Sequence, residues 1–99
     1  MFARLVLVKC DAGKEDAFLE RARVGLRFYL DQPGCQGVHL LRSRADRLHL
    51  VALSLWDRDV DLVAAREKPE YQEAMAGLSE TYAEPQSVGE WDVIPLQAD

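Results

Sequence analysis

The chain has 99 residues, of which 48% are hydrophobic and 29% charged, so it suits one domain over residues 1–99 and is too short for two. Its formal net charge of -5 argues against nucleic acid or an acidic membrane as partner, because both are bound through an excess of Lys and Arg. The longest early apolar stretch, Leu5 to Val8, is too short to cross a bilayer, and we expect a cytoplasmic protein.

The first third of the chain predicts a strand and then a helix. Phe2 to Lys9 is rich in aliphatic residues and is followed by a turn at Asp11–Gly13. From Lys14 to about Asp31, apolar residues recur every three or four positions, which is the spacing of one helix face. Gln32-Pro33-Gly34 should end that helix.

The middle of the chain predicts a hairpin followed by helical segments. Two extended runs, Gly37–Ser43 and Leu48–Trp56, flank a short polar loop. Asp57 or Asp59 can cap the helix that follows, and Pro69 suits the first position of a second helical segment. That segment should carry one stripe of four larger residues, namely Tyr71, Met75, Leu78 and Tyr82.

A last strand over Val88–Ile94 completes the order β-α-β-β-α-β. This order predicts an α+β, ferredoxin-like fold: an antiparallel four-stranded sheet with both helices on one face. In the first and third strands, the residues directed to either face of the sheet are mostly apolar, although such a sheet should have one face in water. We therefore expect a homodimer that packs sheet on sheet.

Cysteines and histidines predict neither a disulfide nor a metal site. Cys10 and Cys35 form no paired-cysteine motif and are interpreted as reduced thiols. The two histidines, His39 and His49, lack metal-ligand spacing and should lie together on the hairpin, on the face opposite Trp56. They are interpreted either as interface residues or as a proton carrier.

Three short motifs carry a resemblance to a known family: Pro33-Gly34-Cys35-Gln36-Gly37, Leu53-Ser54-Leu55-Trp56-Asp57 and Lys68-Pro69-Glu70-Tyr71. In their order and spacing, residues 2–95 resemble the antibiotic biosynthesis monooxygenase family of dimeric α/β barrels. The resemblance implies a pocket between the sheet and the helices of each subunit. It also implies that the other sheet face forms the dimer, where Arg4 would lie.

The polyketide-oxidising members of that family use molecular oxygen without metal or flavin, so the resemblance implies no cofactor. Trp56 matches their strand-end tryptophan, whose indole N–H can hold a substrate oxygen. Their asparagine four positions earlier corresponds to Ala52, and this chain contains no asparagine. The haem-degrading members are matched less well, because their asparagine, tryptophan and iron-binding histidine correspond to Ala3, Ala65 and Met75.

The sequence hypothesis is a cleft lined by Trp56, Ala52, Tyr71 and Met75 that takes a small aromatic or quinol-like molecule. Trp56 would orient the substrate oxygen, and Tyr71 or Arg66 would stabilise developing negative charge. Each of these side chains also has a simpler interpretation, as core packing for the aromatic residues and as a solvated cation for Arg66.

Two other functions remain open. A noncatalytic, dimeric module that binds a small ligand would keep the fold and lack the polar site groups, as the missing asparagine suggests. An isomerase or lyase with a His or Tyr as acid and base has less support, because the histidines should face away from the pocket.

Overall fold

The computed structural model describes residues 1–97 and confirms the α+β, ferredoxin-like order of elements. The second helical unit is divided into two short α-helices and a 3-10 turn. In chain order, the elements are β1 (Phe2–Lys9), α1 (Glu15–Leu30), β2 (Cys35–Arg42), β3 (His49–Trp56), α2 (Asp59–Glu67), α3 (Pro69–Met75), the 3-10 turn (Leu78–Thr81) and β4 (Ser87–Asp92).

The four strands form one antiparallel sheet in the order β2-β3-β1-β4. In its centre, Arg4 of β1 lies opposite Ser54 of β3 on one side and Glu90 of β4 on the other. Paired residues share a face of the sheet and successive residues alternate between faces. Arg4, Ser54 and Glu90 therefore share the face of Trp56, which is two residues beyond Ser54.

This face is covered by the helices, and we call it the covered face. Its core is divided into two clusters of buried side chains. One surrounds Trp56 and includes Phe2, Leu26, Tyr29, Leu62 and Ala65. The other surrounds Phe18 and includes Val8, Cys10, Ala22, Leu50 and Leu78. Both clusters use the apolar stripe of α1, as its three-to-four spacing predicted.

The opposite face of the sheet carries no element among residues 1–97, and we call it the open face. Alternation along the strands gives it mostly apolar side chains, and three of the largest are close to half exposed or more: Leu7 at 47%, Leu41 at 48% and Trp91 at 64%. The sequence predicted such an apolar second face, because both alternating sets of residues in β1 and β3 are mostly apolar.

The second helical unit differs from its prediction in two places. The stripe from Tyr71 to Tyr82 is not one helix, because α3 ends at Met75 and Gly77 takes a positive φ of 79°. Such a φ favours glycine and ends a helix. Neither Asp57 nor Asp59 caps α2: Asp59 is its first residue, and no side chain caps the backbone there.

The two histidines lie on the open face, opposite Trp56, as predicted, but they are not neighbours. His39 pairs with Leu53, which is four residues along β3 from His49. His49 instead places its Nδ1 3.8 Å from a carboxylate oxygen of Asp46. The expectation that they interact is therefore wrong, because the hairpin register separates them.

Candidate active site

A cavity of about 480 Å³ lies on the covered face, between the two core clusters. This volume falls within the range of small-molecule sites, roughly 300–1,000 Å³. Most of its wall is apolar and comes from β1, α1 and the segment after α2. Ala52 and Met75 line it, as the sequence hypothesis expected.

Polar groups gather where β1 and β3 form the floor of the cavity. Arg4 and Ser54 are only 7% and 2% exposed, and both line it. Nη1 of Arg4 contacts Oε1 of Glu90 at 3.4 Å, which is long for a charge-assisted hydrogen bond. Nε of Arg4 is buried and has no hydrogen-bond partner among the described residues. The floor therefore holds a cation that is poorly compensated.

An aromatic stack runs from the sheet to α3 beside this floor. The ring of Tyr29 packs edge to face against Trp56, with 5.0 Å between the ring centroids, and stacks on the ring of Tyr71, with 4.8 Å between the centroids. Burial raises the pKa of Tyr29 above its usual range, and the neighbouring Tyr71 hydroxyl raises it further. The charges of Arg4 and Arg66 lower this pKa by less. Tyr29 is thus a neutral phenol at physiological pH, and its buried hydroxyl has no partner within residues 1–97.

Arg66 and Tyr71 lie between the cavity and the outer surface. Both line the cavity, and both also line a groove on the outer side of α2 and α3, as does Met75. Arg66 is exposed and Tyr71 is half-buried. The carboxylates of the described chain form no ion pair with Arg66. These side chains are therefore reachable by a molecule that enters from solvent.

Trp56 does not line the cavity. Its side chain is fully buried, and Tyr29 lies against it. Its indole N–H donates to Oγ of Ser54 at 2.9 Å. The N–H that the sequence hypothesis assigned to a substrate oxygen is therefore used within the core in this structure. Trp56 instead fixes the hydroxyl of Ser54, which does face the cavity.

Arg4 lies on the covered face, so the expectation that it lies on the face of the dimer is wrong. Because both the odd-numbered and the even-numbered residues of β1 are mostly apolar, its sequence does not show which of them face the helices. The pairing of Arg4 with Ser54 shows that Arg4 does. Sequence reasoning also missed Ser54 and Tyr29 as cavity residues. A signal for Ser54 was present, since it precedes Trp56 by two residues on the same strand and must share its face.

The far end of the cavity is closed by the segment after the 3-10 turn. Tyr82 lines it there, and its hydroxyl donates to Oε1 of Gln86 at 2.9 Å. Burial raises the pKa of Tyr82, and the nearby Tyr71 phenol raises it further. The Tyr82 phenol has a partner, unlike that of Tyr29. Among the buried polar atoms of the cavity lining in residues 1–97, only those of Arg4 and Tyr29 have no partner.

Over residues 1–97, no group of three or more His, Cys, Asp or Glu side chains is arranged to hold a metal ion. Within the same residues, no helix combines the length and the apolar character that a membrane crossing requires.

Comparison with solved structures identifies relatives of the same fold. A candidate antibiotic biosynthesis monooxygenase from Nitrosomonas europaea is 21% identical, with 96% of this chain and 100% of that chain covered at a TM-score of 0.88. One from Bordetella bronchiseptica is 21% identical, with 95% and 97% covered at 0.81. One from Caulobacter crescentus is 20% identical, with 95% and 90% covered at 0.82. At these identities the similarity establishes the fold alone.

No curated protein matches the chain. The family model described as antibiotic biosynthesis monooxygenase, however, matches residues 1–77, which include β1, α1, the hairpin, α2 and α3. The matched part contains most of the residues that line the cavity. The chain therefore belongs to the antibiotic biosynthesis monooxygenase family.

Proposed function

We propose that the cavity binds a small aromatic, quinol-like molecule and that the protein oxidises it with molecular oxygen. The observation that carries the proposal is the cavity itself, whose wall is mostly apolar and which is also lined by the polar side chains of Arg4, Ser54, Arg66 and Tyr71. An aromatic ring would fit the apolar wall, and a phenolic oxygen would find donors among these polar side chains.

In this mechanism the substrate supplies the electrons. A deprotonated phenol is held by the guanidinium of Arg66 and the hydroxyl of Tyr71, which stabilise the negative charge. The activated ring C–H carbon, para to the phenolate oxygen, reacts with O₂, and the phenol becomes a quinone with two C=O groups. One oxygen atom enters the product, and the other leaves as water with the ring hydrogen and the phenolic hydrogen. Trp56 acts as a positioning residue through Ser54.

A second function is favoured by two features of the site. The indole N–H of Trp56 is already bonded to Ser54, and the methyl group of Ala52 stands where an asparagine would supply another polar group. A noncatalytic module that binds the same kind of ligand is consistent with both features. It would bind the molecule without consuming oxygen.

We further propose that two copies associate through their open faces. The exposed apolar side chains of Leu7, Leu41 and Trp91 support this, because a monomer seldom leaves a large apolar patch in water. The two free thiols of Cys10 and Cys35 favour the cytoplasm, where cysteines remain reduced.

Oxygen uptake by metal-stripped protein, measured over a panel of hydroquinones and polycyclic phenols, tests the oxidation. The proposal expects uptake of one O₂ per product, with a product that has gained one oxygen atom and lost two hydrogens. Arg66→Gln should lower the rate by about 10²-fold, the effect of removing one donor to a developing oxyanion. Arg23→Gln makes the same charge change at an exposed position of α1 and should leave the rate unchanged.

Binding without uptake separates the two functions. If a panel member changes the tryptophan fluorescence while no oxygen is consumed, the protein is the binding module. If uptake occurs at equal rates in the wild type and Arg66→Gln, the role given to Arg66 is refuted.

A further inference from the structure

The side chain of Arg4 is the most unusual feature of the cavity. It is 93% buried at the centre of the sheet, where a guanidinium has five N–H donors to satisfy. Its one carboxylate contact within residues 1–97 is the 3.4 Å approach to Glu90, whose own side chain is 50% exposed. Nε is buried without a partner. A buried charge in this state is costly unless something else completes its coordination.

A second donor without an acceptor lies near the same end of the cavity. Tyr29 is 4% exposed and lines the cavity, and its hydroxyl makes no hydrogen bond of good geometry within the described chain, although the Tyr71 hydroxyl lies close enough to raise its pKa. Because its pKa lies above the usual range, the hydroxyl keeps its proton and can donate it to an acceptor. A buried hydroxyl that finds no partner is also unfavourable. Two unpaired donors, one charged and one neutral, thus line one cavity.

The charges at this end leave an excess of one cation. Arg4 and Arg66 both line the cavity, and Glu90 is the only carboxylate that pairs with either of them in residues 1–97. An anion with a single charge would restore neutrality. Its acceptor must present at least two lone pairs in different directions, because the donors come from β1 and from α1.

We infer that the Arg4 end of the cavity binds a carboxylate, and that the ligand of this protein is an aromatic acid. One carboxylate oxygen would accept from the guanidinium of Arg4 and the other from the Tyr29 hydroxyl, with Arg66 nearby. The ring would lie against the apolar wall formed in part by Val6, Leu26 and Met75. The inference rests on the proposed function, since it takes this cavity to be the substrate site.

The test compares two probes of nearly equal size and shape, 2-naphthoate and naphthalene-2-carboxamide, by isothermal titration calorimetry on the full chain at pH 7.5. The carboxylate should bind at least about tenfold more tightly, because hydrogen bonds to an ionised acceptor are roughly twice as strong as neutral ones. The measurement requires no catalysis, so it does not depend on oxygen chemistry.

Three variants locate the effect. Arg4→Met and Tyr29→Phe should each remove most of the preference for the carboxylate while leaving the affinity for the carboxamide within about twofold. Glu90→Gln should instead tighten 2-naphthoate by about threefold, because it removes the anion that competes for Arg4 at a half-exposed site. Glu20→Gln, an exposed substitution on α1, is its matched control and should change nothing.

Glu90→Gln distinguishes the inference from misfolding, because a misfolded variant would lose affinity for 2-naphthoate, whereas this variant should gain it. If the pair of Arg4 and Glu90 is purely structural, no gain in affinity is expected. If both probes bind equally, or if the preference survives Arg4→Met and Tyr29→Phe, the inference is overturned and the proposed site remains. If neither probe nor any phenol of the panel binds, the cavity is not a ligand site and the proposed function fails with it.

Discussion

Each face of the sheet departs from the usual distribution of polarity at a few positions. The covered face buries Arg4 and Ser54 under helices, whereas the open face presents Leu7, Leu41 and Trp91 without cover. A sheet in a monomer normally buries its apolar side chains and exposes its polar ones. We propose that these departures reflect a different use of each face: a ligand site on the covered face and an association surface on the open face.

The largest difference between the faces should be seen on replacing their tryptophans. Trp56→Ala removes a fully buried ring from the core and should lower the free energy of unfolding by about 3–5 kcal/mol. Trp91→Ala removes a 64% exposed ring, so its effect should arise through association and depend on protein concentration. Urea denaturation at two concentrations checks both, and a loss for Trp91→Ala that is independent of concentration would break the comparison.

The next effect concerns assembly. Leu53 lies near the middle of the open face, between Leu5 and His39, and Leu53→Glu would place a charge in the proposed interface. The dissociation constant should rise by more than about 100-fold, because an unpaired charge is costly to bury. Light scattering should change from the mass of a dimer to that of a monomer.

Val63→Glu is the matched control for this change, since Val63 is 52% exposed on α2 and away from the open face. It should leave the mass unchanged. A wild-type protein that is monomeric throughout the concentration range would refute the role given to the open face.

Alkaline pH should affect the covered face through Tyr29. Its pKa is raised by burial in the folded state, so above about pH 10 the unfolded chain loses this proton while the folded chain keeps it. The free energy of unfolding then falls as the pH rises, by up to about 1.4 kcal/mol per pH unit from this group. Tyr29→Phe should lack that component, and urea denaturation of both proteins from pH 8 to pH 11 measures it. Parallel curves would contradict the account.

The smallest expected difference between the two faces concerns two glycines, Gly25 of α1 beside the covered face and Gly89 of β4 on the open face. A Cβ at Gly25 would overlap the terminal methyl group of Met75, so Gly25→Ala should push Met75 from α1. We expect a loss of about 1 kcal/mol in stability and a weaker affinity for aromatic probes. Gly89→Ala on the open face would meet the indole of Trp91, an exposed ring that has room to turn, and should not change probe affinity. Calorimetry on the two variants tests this.

The sequence predicted the order of elements because apolar periodicity and turn residues act locally. It also predicted the apolar open face, since the sequence shows that both alternating sets of residues in β1 and β3 are mostly apolar. Only the register, which depends on contacts between distant segments, could show that Arg4 opposes Ser54 and so faces the helices. The break after Met75 was missed because the stripe to Tyr82 remains in phase across Gly77.

The candidate site was predicted in part. Ala52, Tyr71, Met75 and Arg66 were placed at a cleft, and all four line the cavity. The indole direction of Trp56 could not be predicted, because it is determined by the edge-to-face contact with Tyr29 and by the hydroxyl of Ser54. Spacing in the sequence places a side chain on a face and does not determine which neighbour takes its hydrogen bond.

The division between the faces can be tested in one measurement, because each face holds one of the two tryptophans. Nitrogen-15 labelled protein gives one indole N–H signal from Trp56, whose donor contacts the cavity floor through Ser54, and one from Trp91 on the open face. The account predicts that 2-naphthoate shifts the Trp56 signal alone and that dilution shifts the Trp91 signal alone. A ligand-induced shift confined to Trp91, or a dilution-induced shift confined to Trp56, would contradict it.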